Sequence, residues 1–373
     1  MALCLSVAAG ATELAKRIFD NNQGLPSFGI NDLLFDRDGF TWLATERGLY
    51  RISSEVVRRI DQPGSGIEGK DETFSRLVNL GAHGLLVCGD RRSYWYLPDE
   101  NRFETVHWPE GSMVGKGSGI IAVDDFADVI TLMLSDGTVA ELDRDSLSIK
   151  PLFTYPIDLL NSHDYVDLKR TTAGDYLIAG RYRLDLWSRD GALLQQFPWG
   201  PGDGIAFGLF RDSKQRFWLY TSTGLSRVDL PSGALEKIPG IEHDVVDVAQ
   251  DSDGHFWIAG SRALLSWEEV SGQIHDLSDE LFDIPTIRFI KDIAIAPDGM
   301  IWIADANLGV AALRRLQQLN IREYVDDPSL PMKSSSTWAI YSRGGIVWRG
   351  SFGGLQRLDV SRDLTTSIVL QGA

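Results

Sequence analysis

Apolar and polar positions alternate in short runs along the whole chain, and the runs recur in one order. INDLLFDRDGFTWLATERGLYRIS, starting at Ile30, sets the plan. An apolar run meets an Asp/Gly turn, then a run containing Trp, then a polar loop, then a third apolar run. VVDVAQDSDGHFWIAGSRALLSW from Val245 and IKDIAIAPDGMIWIADANLGVAAL from Ile290 repeat it. Each run has about 5–7 residues, is rich in β-branched and aromatic types, and is bounded by turn residues, which predicts strands. A helical solenoid would need longer segments with a 3.6-residue period, and the pattern has none.

Aligned on the second run, Trp42, Trp218, Trp257, Trp302 and Trp348 form a column, with Val87, Thr131 and Leu177 in weaker copies. The spacing averages about 44 residues, within the range of propeller blades. Asp38-Gly39, Asp253-Gly254 and Asp298-Gly299 mark a tight first turn, and Asp136-Gly137 falls one strand later in its unit. Asx-Gly pairs suit turns that need positive φ. The second loop carries Gly48, Gly224, Gly309 or Gly354. Glu55–Ile60, Phe103–His107 and Leu319–Tyr324 supply a fourth strand. The chain is therefore expected to be all-β, a β-propeller with four antiparallel strands per blade. Its eight units make seven blades plus one extra repeat or, as the alternative, a closed eight-bladed ring. The strand Ala15–Phe19 precedes the first unit and can close the ring in either case. The Trp column is expected in the core, filling the wedges between blades.

Length and composition fit this plan. A single core of 373 residues would be unusually large, whereas a repeat array is not. The 11 Trp and 37 Gly follow from the repeated unit. A net charge of −16 argues against nucleic acid as a partner, because phosphate backbones demand clustered Lys and Arg. No apolar run is long enough for a transmembrane helix. Leu3–Ala11 is apolar and ends in Ala9-Gly10-Ala11, an A-x-A cleavage pattern placing the mature start at Thr12. Residues 1–11 are accordingly expected to be a signal-peptide remnant lacking its basic start. Cys4 would leave with it, and Cys88 alone cannot form an internal disulfide.

A second column lies on the innermost strand. Asp32, Asp167, Asp247 and Asp292 each stand seven residues before a turn Gly, and Leu77, Ile121, Gly208 and Trp338 hold that place elsewhere. Two readings stand side by side. The carboxylates could hold a cation, or each could accept backbone N–H groups of the neighbouring blade. DRDG at Asp36–Gly39 reads as a hairpin turn, since a calcium loop needs a downstream bidentate Glu that is missing. None of the six His forms an i, i+4 metal pair or a Ser-His-Asp motif, and no metal or cofactor is expected. Polar loops after the second strand bring Arg47, Arg91, Arg92, Arg181 and Arg183 to one channel mouth. The loops entering the first strand add His163, His243 and Lys291 on the same face. Arg forks suit carboxylates, phosphates or sugar hydroxyls, making these eight the candidate ligand-binding residues.

Gly24–Ile52, GLPSFGINDLLFDRDGFTWLATERGLYRI, resembles the two-component regulator propeller repeat in its GLPS, its Asp36–Gly39 turn, Trp42 and Thr45–Leu49. The resemblance covers essentially the whole mature chain and implies the extracytoplasmic sensor region of a bacterial membrane signalling protein. In such proteins two seven-bladed propellers precede a β-sandwich, one membrane helix and a histidine kinase or GGDEF diguanylate cyclase. On that basis residues 12–328 are expected to form the seven-bladed propeller, with 329–373 opening a second. The implied partners are a small-molecule or glycan signal and the rest of the receptor, with homodimers among the expected assemblies. The implied location is periplasmic, the parent being anchored in the inner membrane. The region itself is expected to be non-catalytic. The repeat is also similar to that of streptogramin lyases, so a propeller lyase or hydrolase is one alternative and a protein-interaction scaffold another.

Overall fold

In the computed structural model, the described residues are 14–25, 29–36, 38–53, 56–60, 72–89, 92–98, 100–107, 119–156, 158, 166–200, 202–282, 289–305, 309–315, 337–343, 346–351, 354–359 and 364–368. The fold is all-β. Eight antiparallel sheets of four strands each make up the described secondary structure, apart from one five-residue helix, Ser278–Phe282, and two short 3-10 turns. Two compact units divide the chain, Met1–Leu316 and Gln317–Ala373.

Seven sheets belong to the first unit. Their innermost strands are Ile30–Phe35, Phe74–Asn79, Ile120–Phe126, Asp167–Arg170, Ala206–Arg211, Asp247–Gln250 and Ile290–Ile295. Each neighbours the next in sequence, and the last returns to the first, closing a cycle. The second strands, such as Thr41–Thr45, Phe217–Thr221 and Phe256–Gly260, are buried at every position. Both of their faces pack against other blades, so these segments read as continuous apolar runs rather than alternating ones.

Ring closure falls to the N-terminal strand. Leu14–Phe19 pairs antiparallel with Val310–Arg315 and supplies the fourth strand of the seventh sheet, Phe19 lying opposite Val310. The expected strand Leu319–Tyr324 lies outside the described residues, and its place in that sheet is held by Leu14–Phe19. The Phe19 ring stacks on Trp302 at 5.4 Å between centroids. Gly309 makes the approach of the two chain ends feasible. Its φ is +152°, and a Cβ there would sit 2.4 Å from the Phe19 carbonyl oxygen.

The Trp column lies in the wedges between blades. Trp42 packs into the second sheet against Tyr96, Phe74 and Phe103, and Trp218 into the sixth against Phe256 and Trp267. A shared turn fixes the orientation of three indoles. Asp36 accepts hydrogen bonds from the Asp38 and Phe40 amides (3.0 and 2.9 Å) and from Trp42 Nε1 (2.7 Å). Asp212 does the same for Lys214, Arg216 and Trp218, and Asp251 for Asp253, His255 and Trp257. One carboxylate therefore caps the hairpin and satisfies a buried indole N–H. One member of the column needs correction. Leu86, not Val87, pairs with Val78 in the place where Trp42 pairs with Leu34, and Trp95 faces Leu86 from the next strand.

The second unit carries the eighth sheet, Thr337–Arg343, Ile346–Ser351, Gly354–Asp359 and Leu364–Ile368, in sequential antiparallel order. Trp348 there pairs with Tyr341 and Arg357, as the repeat predicts.

Candidate functional site: the central channel

The inner strands enclose a channel of about 950 Å³ lined from every blade of the ring. Its composition follows from strand register. Asp32, Asp167, Asp247 and Asp292 pair with Ala44, Ala179, Ala259 and Ala304, small residues on the second strand. The same register places Arg76 opposite Cys88, Ala122 opposite Met133 and Gly208 opposite Tyr220. One ring of positions thus reads Asp32, Arg76, Ala122, Asp167, Gly208, Asp247 and Asp292. This corrects the expected column, in which Leu77 and Ile121 stood where Arg76 and Ala122 do; in the second unit, Ala339 opposite Gly350 replaces Trp338. The cause is a turn of altered chemistry. Leu80 bonds Gly84 across the second sheet's hairpin as Asp36 bonds Phe40 in the first, so the turn Gly comes one residue late. Counting back from Gly84 lands on Leu77, one position beyond the true column.

The Asp column staples blade to blade. Leu77 N donates to Asp32 Oδ2 (2.6 Å), Leu209 N to Asp167 (2.9 Å), Ile293 N to Asp247 (3.0 Å) and Leu33 N to Asp292 (2.9 Å). The last bond spans the ring closure. Between the third and fourth blades a different residue serves, Asp124, which accepts the Arg170 amide at 2.7 Å and pairs with Arg211. Each staple satisfies an inner-strand N–H that its own sheet leaves unpaired.

Electrostatics at this level are strained. Burial, reinforced by the Asp292 charge, pushes the Asp32 carboxyl up to about 7. Asp247 is raised well above the usual carboxylate range by burial and then by the neighbouring Asp292 carboxyl. Arg76 is water-accessible in the channel yet enclosed by the ring, and the surrounding charges of Asp32, Asp167 and Asp292 hold it firmly protonated. Its Nη1 also donates to the Ser75 and Asn31 carbonyls at 3.1 and 3.3 Å. Lys169 pairs with Asp167 at 3.0 Å. Tyr220 is buried on the second strand, and its phenol passes over Gly208. A Cβ at Gly208 would lie 2.2 Å from the hydroxyl, so only Gly lets Tyr220 reach the channel.

Of the expected ligand residues, Lys291 lines this channel. Arg47, Arg92, Arg181, Arg183 and His243 are not among the lining residues, and Arg91 and His163 lie outside the described residues. Arg47 and Arg92 are exposed on their loops. Arg181 lies over the Tyr182 ring at 5.3 Å. Arg183 is committed to the fully buried Asp185, which also accepts the Tyr155 hydroxyl at 2.9 Å. His243 bonds the Asp244 carbonyl through Nδ1 at 2.8 Å. Arg76 and Tyr220 are the channel residues that sequence reasoning missed. The alternation in FSRLVN signals an inward Arg76, and Gly208 signals a side chain entering from another strand. Among the described residues, Asp251, Asp253 and His255 bring potential metal ligands within 4.8 Å of one another. Asp251 is already engaged there by the Trp257 turn.

No family model matches the chain, and no curated protein matches it. Solved structures do. The extracellular domain of the putative hybrid two-component system BT4673 from B. thetaiotaomicron superposes with a TM-score of 0.64 at 16% identity, over 95% of this chain and 47% of that one. The chain is thus a propeller spanning about half the length of such an extracellular domain. Virginiamycin B lyase from Staphylococcus aureus matches with a TM-score of 0.59 at 12% identity, over 81% of this chain and 99% of the lyase. YCF48 bound to D1 peptide gives 0.61 at 14%, over 83% and 97%. At these identities the likeness establishes the fold.

Proposed function

We propose that this chain is the extracytoplasmic ligand-sensing propeller of a bacterial transmembrane signalling protein with a histidine kinase or diguanylate cyclase output. The observation that carries the reading is the likeness over 95% of the chain to extracellular domains of two-component systems, combined with a ring that encloses a polar channel. Residues 1–11 are a leader remnant, 12–328 the seven-bladed propeller and 329–373 the opening unit of a further repeat array. The signal, a small molecule or glycan, enters the channel from the mouth on which Lys291 and the Arg loops lie. The rest of the receptor, as a homodimer, reads the change.

A signal can act only by binding two states of the receptor with different free energy. The blade staples are suited to this, because the same carboxylates face the channel and hold adjacent blades together. The propeller itself is non-catalytic in this reading. The reading frame beyond Ala373 tests the proposal. Further repeats, a membrane span and a kinase or GGDEF domain would support it. A stop codon with no signalling gene beside it would contradict it.

A further inference from the structure

The channel holds more acidic groups than cations. Five acids line it, Asp32, Asp125, Asp167, Asp247 and Asp292, against Arg76, Lys169 and Lys291. Asp125 takes Arg144 as its ion-pair partner. The four remaining carboxyl groups then face three cations. The Cys88 thiol beneath Arg76 adds no charge, since burial raises it far above neutrality.

A second observation is independent of the acids. Tyr220 is only 9% exposed, yet its hydroxyl makes no hydrogen bond among the described residues. The hydroxyl faces the channel, where it is open to a ligand. It points through the gap left by Gly208 into the level of the four Asp. The wall beside it is apolar, built from Phe207, Leu209, Val246 and Ile290.

We propose that Asp247, Asp292, Asp32 and Tyr220 form a site for one small organic cation, a primary ammonium or guanidinium group on an apolar body. The cation's N–H donors meet the remaining lone pairs of these carboxylate oxygens, whose other lone pairs take backbone amides such as Val248 and Ile293 on Asp247, and the phenol oxygen of Tyr220. Its body lies on the apolar wall. Charge balance is one for one: the ligand enters as a cation, and the proton that burial favours on Asp247 leaves to water. Binding therefore tightens as pH rises through the range in which that proton is held. The site gives the signal of the proposed receptor a chemical class, and so rests on the ligand-sensing reading for its biological meaning alone.

The test uses the full chain and three isosteric probes, butylammonium, butanol and butyrate, read by thermal shift and calorimetry. Butylammonium is expected to raise the melting midpoint, and butanol and butyrate are not. Its Kd should fall as pH rises, by up to about tenfold per pH unit, and heats in buffers of different ionisation enthalpy should report close to one proton released. Asp247→Asn should abolish the shift. Tyr220→Phe, which deletes one oxygen from a packed ring, should weaken binding about tenfold without unfolding the protein and serves if the Asn variant does not fold. Equal shifts by all three probes, a preference for butyrate, a pH-independent Kd or unchanged binding in Tyr220→Phe would each overturn the proposal. None of these outcomes depends on what lies downstream of Ala373, so failure here is separable from failure of the receptor reading.

Discussion

Replacing Asp212 by Ala should be among the most costly single changes in the ring, and the structure gives its size. Asp212 is 2% exposed. It accepts the amides of Lys214 and Arg216 (both 2.9 Å), Trp218 Nε1 (3.0 Å) and Arg216 Nε (2.7 Å). Hydrogen bonds to a charged group contribute roughly 1.5–3 kcal/mol each, but bonds sharing one acceptor do not add. Removing one partner of a buried ion pair costs about 3–5 kcal/mol, and the orphaned indole N–H lies in the core. The expected loss is therefore about 3–5 kcal/mol, a large share of a total stability of about 5–15 kcal/mol. Urea denaturation followed by Trp fluorescence measures it, with Asp253→Ala, an exposed turn residue, as a control changing less than about 0.5 kcal/mol. The seventh sheet supplies the reciprocal experiment. Ala296 occupies the place of Asp212 there, its amide donating to the Met300 carbonyl at 2.8 Å, and it carries no carboxylate to accept from the Trp302 indole. Ala296→Asp should stabilise by about 1 kcal/mol. A loss under about 1 kcal/mol for Asp212→Ala would refute the view that one carboxylate holds both turn and wedge.

Other perturbations separate closure from titration. Phe19→Ala should cost about 3–5 kcal/mol and, unlike other core truncations, make the N-terminal strand accessible to protease, because Phe19 on Trp302 pins the closing strand. Asp32 binds its proton more tightly in the fold than in the unfolded chain. Its contribution is thus full below about pH 4 and is lost as pH rises through about 7. Asp32→Asn should remove that slope, as urea midpoints at pH 5 and 8 would show. Glu269 has the opposite sign, held down to about 2 chiefly by the Arg216 hydrogen bond. Its contribution is present above about pH 4.5 and lost as pH falls toward 2. Glu269→Gln should be destabilised at pH 7, with the gap to wild type closing in acid.

The strands, hairpin turns and Trp wedges were legible because each repeats a local pattern that burial enforces. The Asp staples were legible as one of two readings, since buried carboxylates need donors and the neighbouring strand has them. Arg76 was hidden because its turn places Gly84 where the other units place a residue before it, shifting the count by one. Tyr220 was hidden because channel lining was sought on inner strands, while this phenol enters from the second strand through a missing Cβ. Arg183 looked like a mouth residue by its loop position. It points instead along its own strand to Asp185, two residues on and so on the same face.

Hydrogen exchange of the chain with and without butylammonium tests the central claim most directly, that the channel is where the signal acts. The account predicts slowed exchange at the staple amides of Leu33, Leu77, Leu209 and Ile293, which report the carboxylates from behind. Slowing confined to the loops around Glu46-Arg47 and Arg181-Tyr182, with the staple amides unchanged, would contradict it.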